Sequence, residues 1–171
     1  MPVPTLQTDR LVLRALHEGD LEEVTLHAGD FAVSKWLVPV AHPYTYADAQ
    51  EFLAMDRAGE IGQLWVITLD TAFQGVISVG KELGYWLAQH AWGQGIATEA
   101  AQAALSNFFE TQTLDTVHSS YFLGNERSAR VLYKLGFREV GPSVQFSKAR
   151  GQEVDARSVA LSRQDWLRAN G

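Results

Sequence analysis

The stretch Gly84-Tyr85-Trp86-Leu87-Ala88-Gln89-His90-Ala91-Trp92-Gly93-Gln94-Gly95-Ile96-Ala97-Thr98-Glu99-Ala100 decides the reading of this chain, because it runs from a strand through a glycine turn into a helix. The helix half is the clearest in the sequence. From Ile96 to Phe109, the residues Ile96, Ala97, Ala100, Ala101, Ala104, Leu105, Phe108 and Phe109 recur at spacings of three and four and predict one broad apolar stripe. Gly93-Gln94-Gly95 sits where the chain must turn tightly before that helix. Glycines there let the backbone approach an anion closely. The free N–H groups of the first helical turn, with the positive end of the macrodipole, complete an anion cradle that needs no lysine. Two other cradles do not fit. No Gly-Lys-Ser/Thr follows, and the dinucleotide pattern needs glycine where Thr98 stands.

Working outward, Gln63–Leu69, Phe73–Val79 and Glu82–Ala88 read as successive strands, rich in branched and aromatic residues, with a turn at Asp70-Thr71-Ala72. Upstream, Leu11 to Leu16 suits a first strand. Asp20 then looks like the N-cap of a short helix carrying Leu21, Val24 and Ala28, and a second helix runs from about Tyr46 to Ala58, ended by Gly59. Downstream come a strand at Thr116–Phe122 and a helix at Glu126–Leu135 stopped by Gly136. Two closing strands at Phe137–Val140 and Ala156–Leu161 flank a polar loop near Lys148–Gln152. This order predicts an α/β (α+β) fold in which helices cover a mixed sheet.

The 171 residues fit one domain, and 46% hydrophobic with 20% charged residues is an ordinary globular balance. The start, Met1 to Asp9, lacks a basic n-region and an apolar h-region, so no signal peptide, no membrane span and a cytoplasmic location are expected. The absence of cysteine excludes disulfides, thiolate metal sites and a cysteine nucleophile. No metal site is expected either, since the five histidines show no ligand spacing. A net charge of −6 disfavours nucleic acid as a partner and suits a cationic one such as an amine.

Gly84-Tyr85-Trp86-Leu87 followed by Trp92-Gly93-Gln94-Gly95-Ile96-Ala97-Thr98-Glu99-Ala100 resembles the central motif of the GNAT superfamily of N-acetyltransferases, with Trp92 in a place usually held by arginine or glutamine. Two more segments resemble the branch that acetylates ribosomal-protein N-termini. They are Thr8-Asp9-Arg10-Leu11-Val12-Leu13-Arg14, similar to its first strand, and Asn125-Glu126-Arg127-Ser128 with Lys134-Leu135-Gly136-Phe137, similar to its second cofactor motif. The resemblance covers nearly the whole chain. It implies one acetyltransferase domain over residues 1–171, with a mixed, mostly antiparallel seven-stranded sheet, splayed fourth and fifth strands and about four helices.

It also implies acetyl-CoA as cosubstrate and an amine acceptor, either a protein N-terminus or a small molecule such as a polyamine or aminoglycoside. The rival is an acyl-CoA-binding module without turnover; a homodimer is a further implication. On this resemblance the pantetheine arm pairs with backbone at Trp86, Leu87 and Ala88. The pyrophosphate meets Trp92, Gly93, Gln94, Gly95, Ile96, Ala97 and Thr98, while Asn125, Ser128 and Lys134 contact the rest of the cofactor. Arg127, Arg130 and Lys134 share a helix face, which serves either outer phosphates or solvent.

Amide formation from a protonated amine needs a base, an oxyanion donor and a proton for the leaving thiolate. Glu82 and His118 are the candidate bases, each with a structural role as the alternative. Many members carry a tyrosine as acid four residues before the Gly-Phe pair. Leu132 holds that place here, and Tyr133 follows roughly 100° further round the helix. The resemblance therefore points to Ser128 at the cofactor sulfur. Acceptor choice is expected to lie in Phe31–Gly59 and Ser143–Glu153.

Overall fold

The computed structural model describes residues 2–171. Two sheets meet edge to edge. The first has five antiparallel strands in chain order: β1 (Leu6–Gln7), β2 (Leu11–Arg14), β3 (Gln63–Leu69), β4 (Ala72–Val79) and β5 (Leu83–Leu87). The second, ordered β6-β8-β7, pairs β6 (Thr116–Phe122) and β7 (Arg138–Ser147) with a central β8 (Gln152–Ser162). The helices are α1 (Leu21–Ala28), α2 (Phe31–Ser34), α3 (Tyr46–Arg57), α4 (Ile96–Thr111), α5 (Glu126–Lys134) and α6 (Arg163–Asn170). The sheets touch at one parallel bridge between Glu82 and His118, tied by the His118 N–H donating to the Lys81 carbonyl at 2.9 Å. The Ser119 hydroxyl adds a bond to the Leu83 carbonyl at 2.8 Å, and beyond it β5 and β6 no longer pair. This is the splay expected of the fourth and fifth strands, which become β5 and β6 because Leu6–Gln7 forms an additional edge strand.

Each face of the first sheet is sealed by its own apolar cluster. On one face Leu11, Leu13, Trp65, Ile67, Ile77, Val79, Leu83 and Leu87 meet all eight stripe residues of α4. Fully burying each large side chain there contributes about 1.5–3 kcal/mol. Trp65 also satisfies its indole N–H on the Pro4 carbonyl at 2.9 Å. On the other face Leu64, Val66, Phe73 and Val76 pack against α1 and α3 through Leu21, Val24, Ala49 and Leu53. Phe73 joins that face because the β3–β4 register shifts between Ile67 and Thr68, leaving Gln74 as a bulge.

Three expectations change. The two closing strands lengthen to Arg138–Ser147 and Gln152–Ser162, a long hairpin carried by backbone pairing that meets at the expected polar turn. Two short helices, α2 and α6, enter where none was expected. Asp20 does precede α1, but its side chain caps nothing in that helix. Instead it takes Arg14 bidentately at 2.9 and 2.7 Å, and accepts the His17 N–H at 3.0 Å.

Burial alone would push the Asp20 carboxyl up. Hydrogen bonds from Arg14 and the His17 N–H, with the charges of both residues, outweigh it and hold the group below its ordinary range. A depressed folded value stabilises the fold above the unfolded pKa of about 3.9, and that stability is lost as pH falls through the folded value. Asp20→Asn is expected to cost about 1–3 kcal/mol at neutral pH, as the loss of hydrogen bonds to a charge predicts. It should also flatten the acid limb below about pH 4, and urea midpoints measured across that range check both effects.

Candidate active site

The site begins with the unpaired edge of β5. The Ala88 N–H donates to the Gln74 carbonyl at 2.8 Å and the Gly80 N–H to the Glu82 carbonyl at 3.0 Å. With the β4–β5 register, this assigns the backbone groups of Glu82, Gly84, Trp86 and Ala88 to β4. Alternation then turns those of Leu83, Tyr85 and Leu87 toward β6. The Leu83 carbonyl is taken by Ser119 and the Leu87 carbonyl by the Trp92 indole at 3.1 Å. The Tyr85 amide groups and the Leu87 N–H are left facing the gap.

A cleft of about 1260 Å³ opens from that gap. Gly93 and Gly95, both at positive φ, bring the turn to its wall, and Gly95 caps α4 without any side-chain hydrogen bond to the first-turn amides. The opposite wall is α5. Its N-cap Asn125 accepts the Ser128 N–H at 3.4 Å, and Arg127 stacks its guanidinium 3.8 Å from the Trp92 ring. Such stacking holds a cation beside the turn. Lys134, in the last turn of α5, lines both the cleft and an outer groove next to Thr98.

Trp86, Leu87, Trp92, Gly93, Gly95, Ile96, Ala97, Thr98, Asn125, Ser128 and Lys134 all line this one cleft. Ala88 and Gln94 do not. Ala88 is fully buried against β4, and Gln94 turns its side-chain amide back onto the His90 carbonyl at 2.8 Å. Of the two base candidates Glu82 lines the cleft, whereas His118 is exposed and outside its wall, although their backbones form the bridge between the sheets. The Tyr133 hydroxyl pairs with that of Tyr121 at 2.8 Å, and Tyr133 is absent from the wall.

Sequence reading missed Tyr85. Its hydroxyl lies 2.9 Å from Ser128 Oγ, and burial, partly offset by that hydrogen bond, pushes its pKa up to about 12. The phenol therefore stays protonated. Either hydroxyl of this pair can donate, and when Tyr85 does, the serine proton is free for the cleft. Only the strand alternation placing Tyr85 on the same face as Leu83 and Leu87 hinted at it.

Away from the turn the cleft is lined by Asp48, Glu51, Glu60 and Glu82, with Lys81 and Lys148 beside them, and by the aromatic Trp36, Tyr44, Phe52 and Trp86. Burial and the negative charges of Asp48 and Glu51 push the Tyr44 hydroxyl up to about 12. Carboxylates outnumber the two lysines there, whereas Arg127, Arg130 and Lys134 line the α5 side.

A family model described as an acetyltransferase (GNAT) domain matches residues 10–138. The ribosomal protein uS5-alanine N-acetyltransferase of Escherichia coli (strain K12) is 33% identical over 183 residues, which span 97% of this chain and 94% of that protein. The chain belongs to the GNAT acetyltransferase family. Solved GNAT structures agree in fold. An acetyltransferase (GNAT family) from Bacillus anthracis has a TM-score of 0.80 at 23% identity, covering 94% of this chain and 99% of that one. A spermidine N-acetyltransferase from Vibrio cholerae, in complex with CoA and spermine, has a TM-score of 0.81 at 18% identity, covering 94% and 99%. Among the described residues no helix of this GNAT enzyme is long and apolar enough to cross a membrane.

Proposed function

We propose that this enzyme moves acetyl from acetyl-CoA to a primary amine by direct attack within a ternary complex. The observation that carries the reading is the single cleft that joins an open strand edge and a glycine turn to an acid-lined chamber. The pantetheine arm pairs with the free backbone groups of Tyr85 and Leu87. The pyrophosphate lies on the amides from Gly93 to Thr98, with Arg127 and Lys134 beside it. The acceptor enters from the opposite end, where Asp48, Glu51, Glu60 and Glu82 attract a cation.

Glu82 is the candidate base that removes the amine proton, directly or through water. The amine nitrogen then attacks the thioester carbonyl carbon, and the oxyanion is met by the Leu87 N–H. As the tetrahedral centre collapses, the C–S bond breaks and its electron pair passes to sulfur; the nitrogen's remaining proton leaves as the amide forms, and the thiolate takes a proton from the Ser128 hydroxyl, which recovers that nitrogen proton directly or through water. The kinship with a ribosomal-protein N-acetyltransferase favours a protein N-terminal α-amine as acceptor. The four carboxylates at the chamber favour, as a second reading, a small polycation such as a polyamine.

A screen of alanine-terminated peptides, polyamines and aminoglycosides with acetyl-CoA, read as free CoA released, tests this. Turnover with one class names the acceptor. Thermal stabilisation by CoA without release from any of them would favour a binding module and sink the enzymatic reading. With the acceptor found, Ser128→Ala is expected to lower kcat by about 100-fold or more, as loss of a proton-donating group does, while sparing CoA affinity.

A further inference from the structure

The turn that lines the cleft is fastened from outside. Arg10 lies between β1 and β2, and its Nη2 donates to the Gln94 carbonyl at 2.8 Å. Its Nε donates to Glu99 in the first turn of α4 at 3.4 Å, and Thr8 Oγ1 donates to the other Glu99 oxygen at 3.0 Å. Thr8 is itself fixed, since its Oγ1 accepts the Leu11 N–H at 2.9 Å and its N–H donates to the Leu11 carbonyl at 3.0 Å. The end of the β1–β2 hairpin is therefore stitched onto the start of α4, across more than eighty residues of sequence.

We propose that Arg10 is a positioning residue for the anion-binding turn, one that aims the Gly95 N–H at the bound phosphates without touching them. This rests on reading the turn as the CoA pyrophosphate site. A trans peptide is planar, so its carbonyl and its N–H point in opposite directions. Holding the Gln94 carbonyl on Arg10 fixes the Gly95 N–H away from the hairpin, on the side of the cleft that Gly95 lines. Without that hold, the Gln94–Gly95 peptide turns more freely, because Gly95, at positive φ, accepts either sign of φ. Arg10 also neutralises Glu99, a carboxylate one turn from the anion site. The two roles separate experimentally.

Calorimetric titration with CoA of the wild type, Arg10→Leu, Arg10→Lys and the double variant Arg10→Leu/Glu99→Gln, together with their melting temperatures without ligand, tests the assignment. Arg10→Leu is expected to weaken CoA binding about tenfold, as loss of about 1.4 kcal/mol would. Arg10→Lys should recover part of that loss, and the double variant should stay weak. In the wild type, CoA should shift the Gly95 amide resonance strongly, and in Arg10→Leu much less.

Wild-type affinity in Arg10→Leu overturns the positioning role, even if its melting temperature falls. Full recovery in the double variant also overturns it, because charge neutralisation then explains the effect. If the wild type itself fails to bind CoA, the reading of the turn fails and the proposal falls with it.

Discussion

Alanine at position 75 is expected to destabilise the protein by about 4 kcal/mol, in the exceptional tail of single substitutions. A Cβ built on Gly75 would stand 2.1 Å from the Trp86 carbonyl oxygen and 2.9 Å from the Leu87 Cα. Both are backbone atoms, so no side-chain rotation relieves the overlap. The contact arises where Gly75 faces Leu87 in a non-hydrogen-bonded pair, in which strands approach most closely, beside the bulge at Gln74. The only escape is to part β4 from β5. Most of β5 has no strand on its other side, because the cleft opens there. Its pairing with β4 is thus what holds the catalytic edge in place. For a chain of this size the loss corresponds to a melting temperature lower by about 8–16 °C. Gly80→Ala is the control: its Cβ would meet nothing closer than 3.6 Å, and a change within about 0.5 kcal/mol is expected. Thermal and urea midpoints check both. A Gly75→Ala variant as stable as wild type would show that the close approach is dispensable.

The legible parts of this chain are those in which burial writes itself into the sequence. Helix α4 was readable to the residue on its buried face, because eight apolar side chains at helical spacing allow no other element. The hairpin of β7 and β8 was mostly unreadable for the opposite reason. Val140, Val144 and Phe146 are exposed while Ser143 and Gln145 are half-buried, the reverse of an apolar-in pattern, so the pairing lies in backbone bonds that leave no hydrophobic signature. Helix α6 buries Trp166 alone, and one anchor carries no period.

At the site the same division holds. The glycine turn is a local feature and was visible. Which β5 amides face the gap depends on a register set by the bulge at Gln74, so reading Trp86 and Ala88 as pairing partners for a ligand missed that their amides belong to β4. The role of Tyr85 was hidden for a similar reason. Its partner Ser128 lies 43 residues away on a helix whose placement only the fold supplies.

Replacing Gly95 should remove CoA binding in steps that follow backbone strain rather than bulk. Gly95 has φ 75° and ψ 9°, the left-handed region, and from there it starts α4. Most helices fill that position with a side chain that accepts a first-turn N–H. Glycine leaves those amides unsatisfied and outward-facing, the arrangement that binds an anion. A Cβ added at Gly95 would find only Arg10 Nη2 within reach, at 3.6 Å, so space is not the obstacle. Conformation is. Alanine in the left-handed region costs about 1–2 kcal/mol, and CoA affinity should fall about tenfold if the turn relaxes to avoid that cost. Valine is worse, because a β-branched residue at positive φ is an outlier, and a loss of about 100-fold or more is expected. Asparagine separates strain from occlusion. It tolerates left-handed backbone, so Gly95→Asn should melt close to wild type. Its side-chain oxygen nevertheless competes for the same amides, and CoA binding should still weaken. If Gly95→Val binds CoA as wild type does, the pyrophosphate does not rest on this turn. If Gly95→Asn alone retains full affinity, the amides are not what holds it.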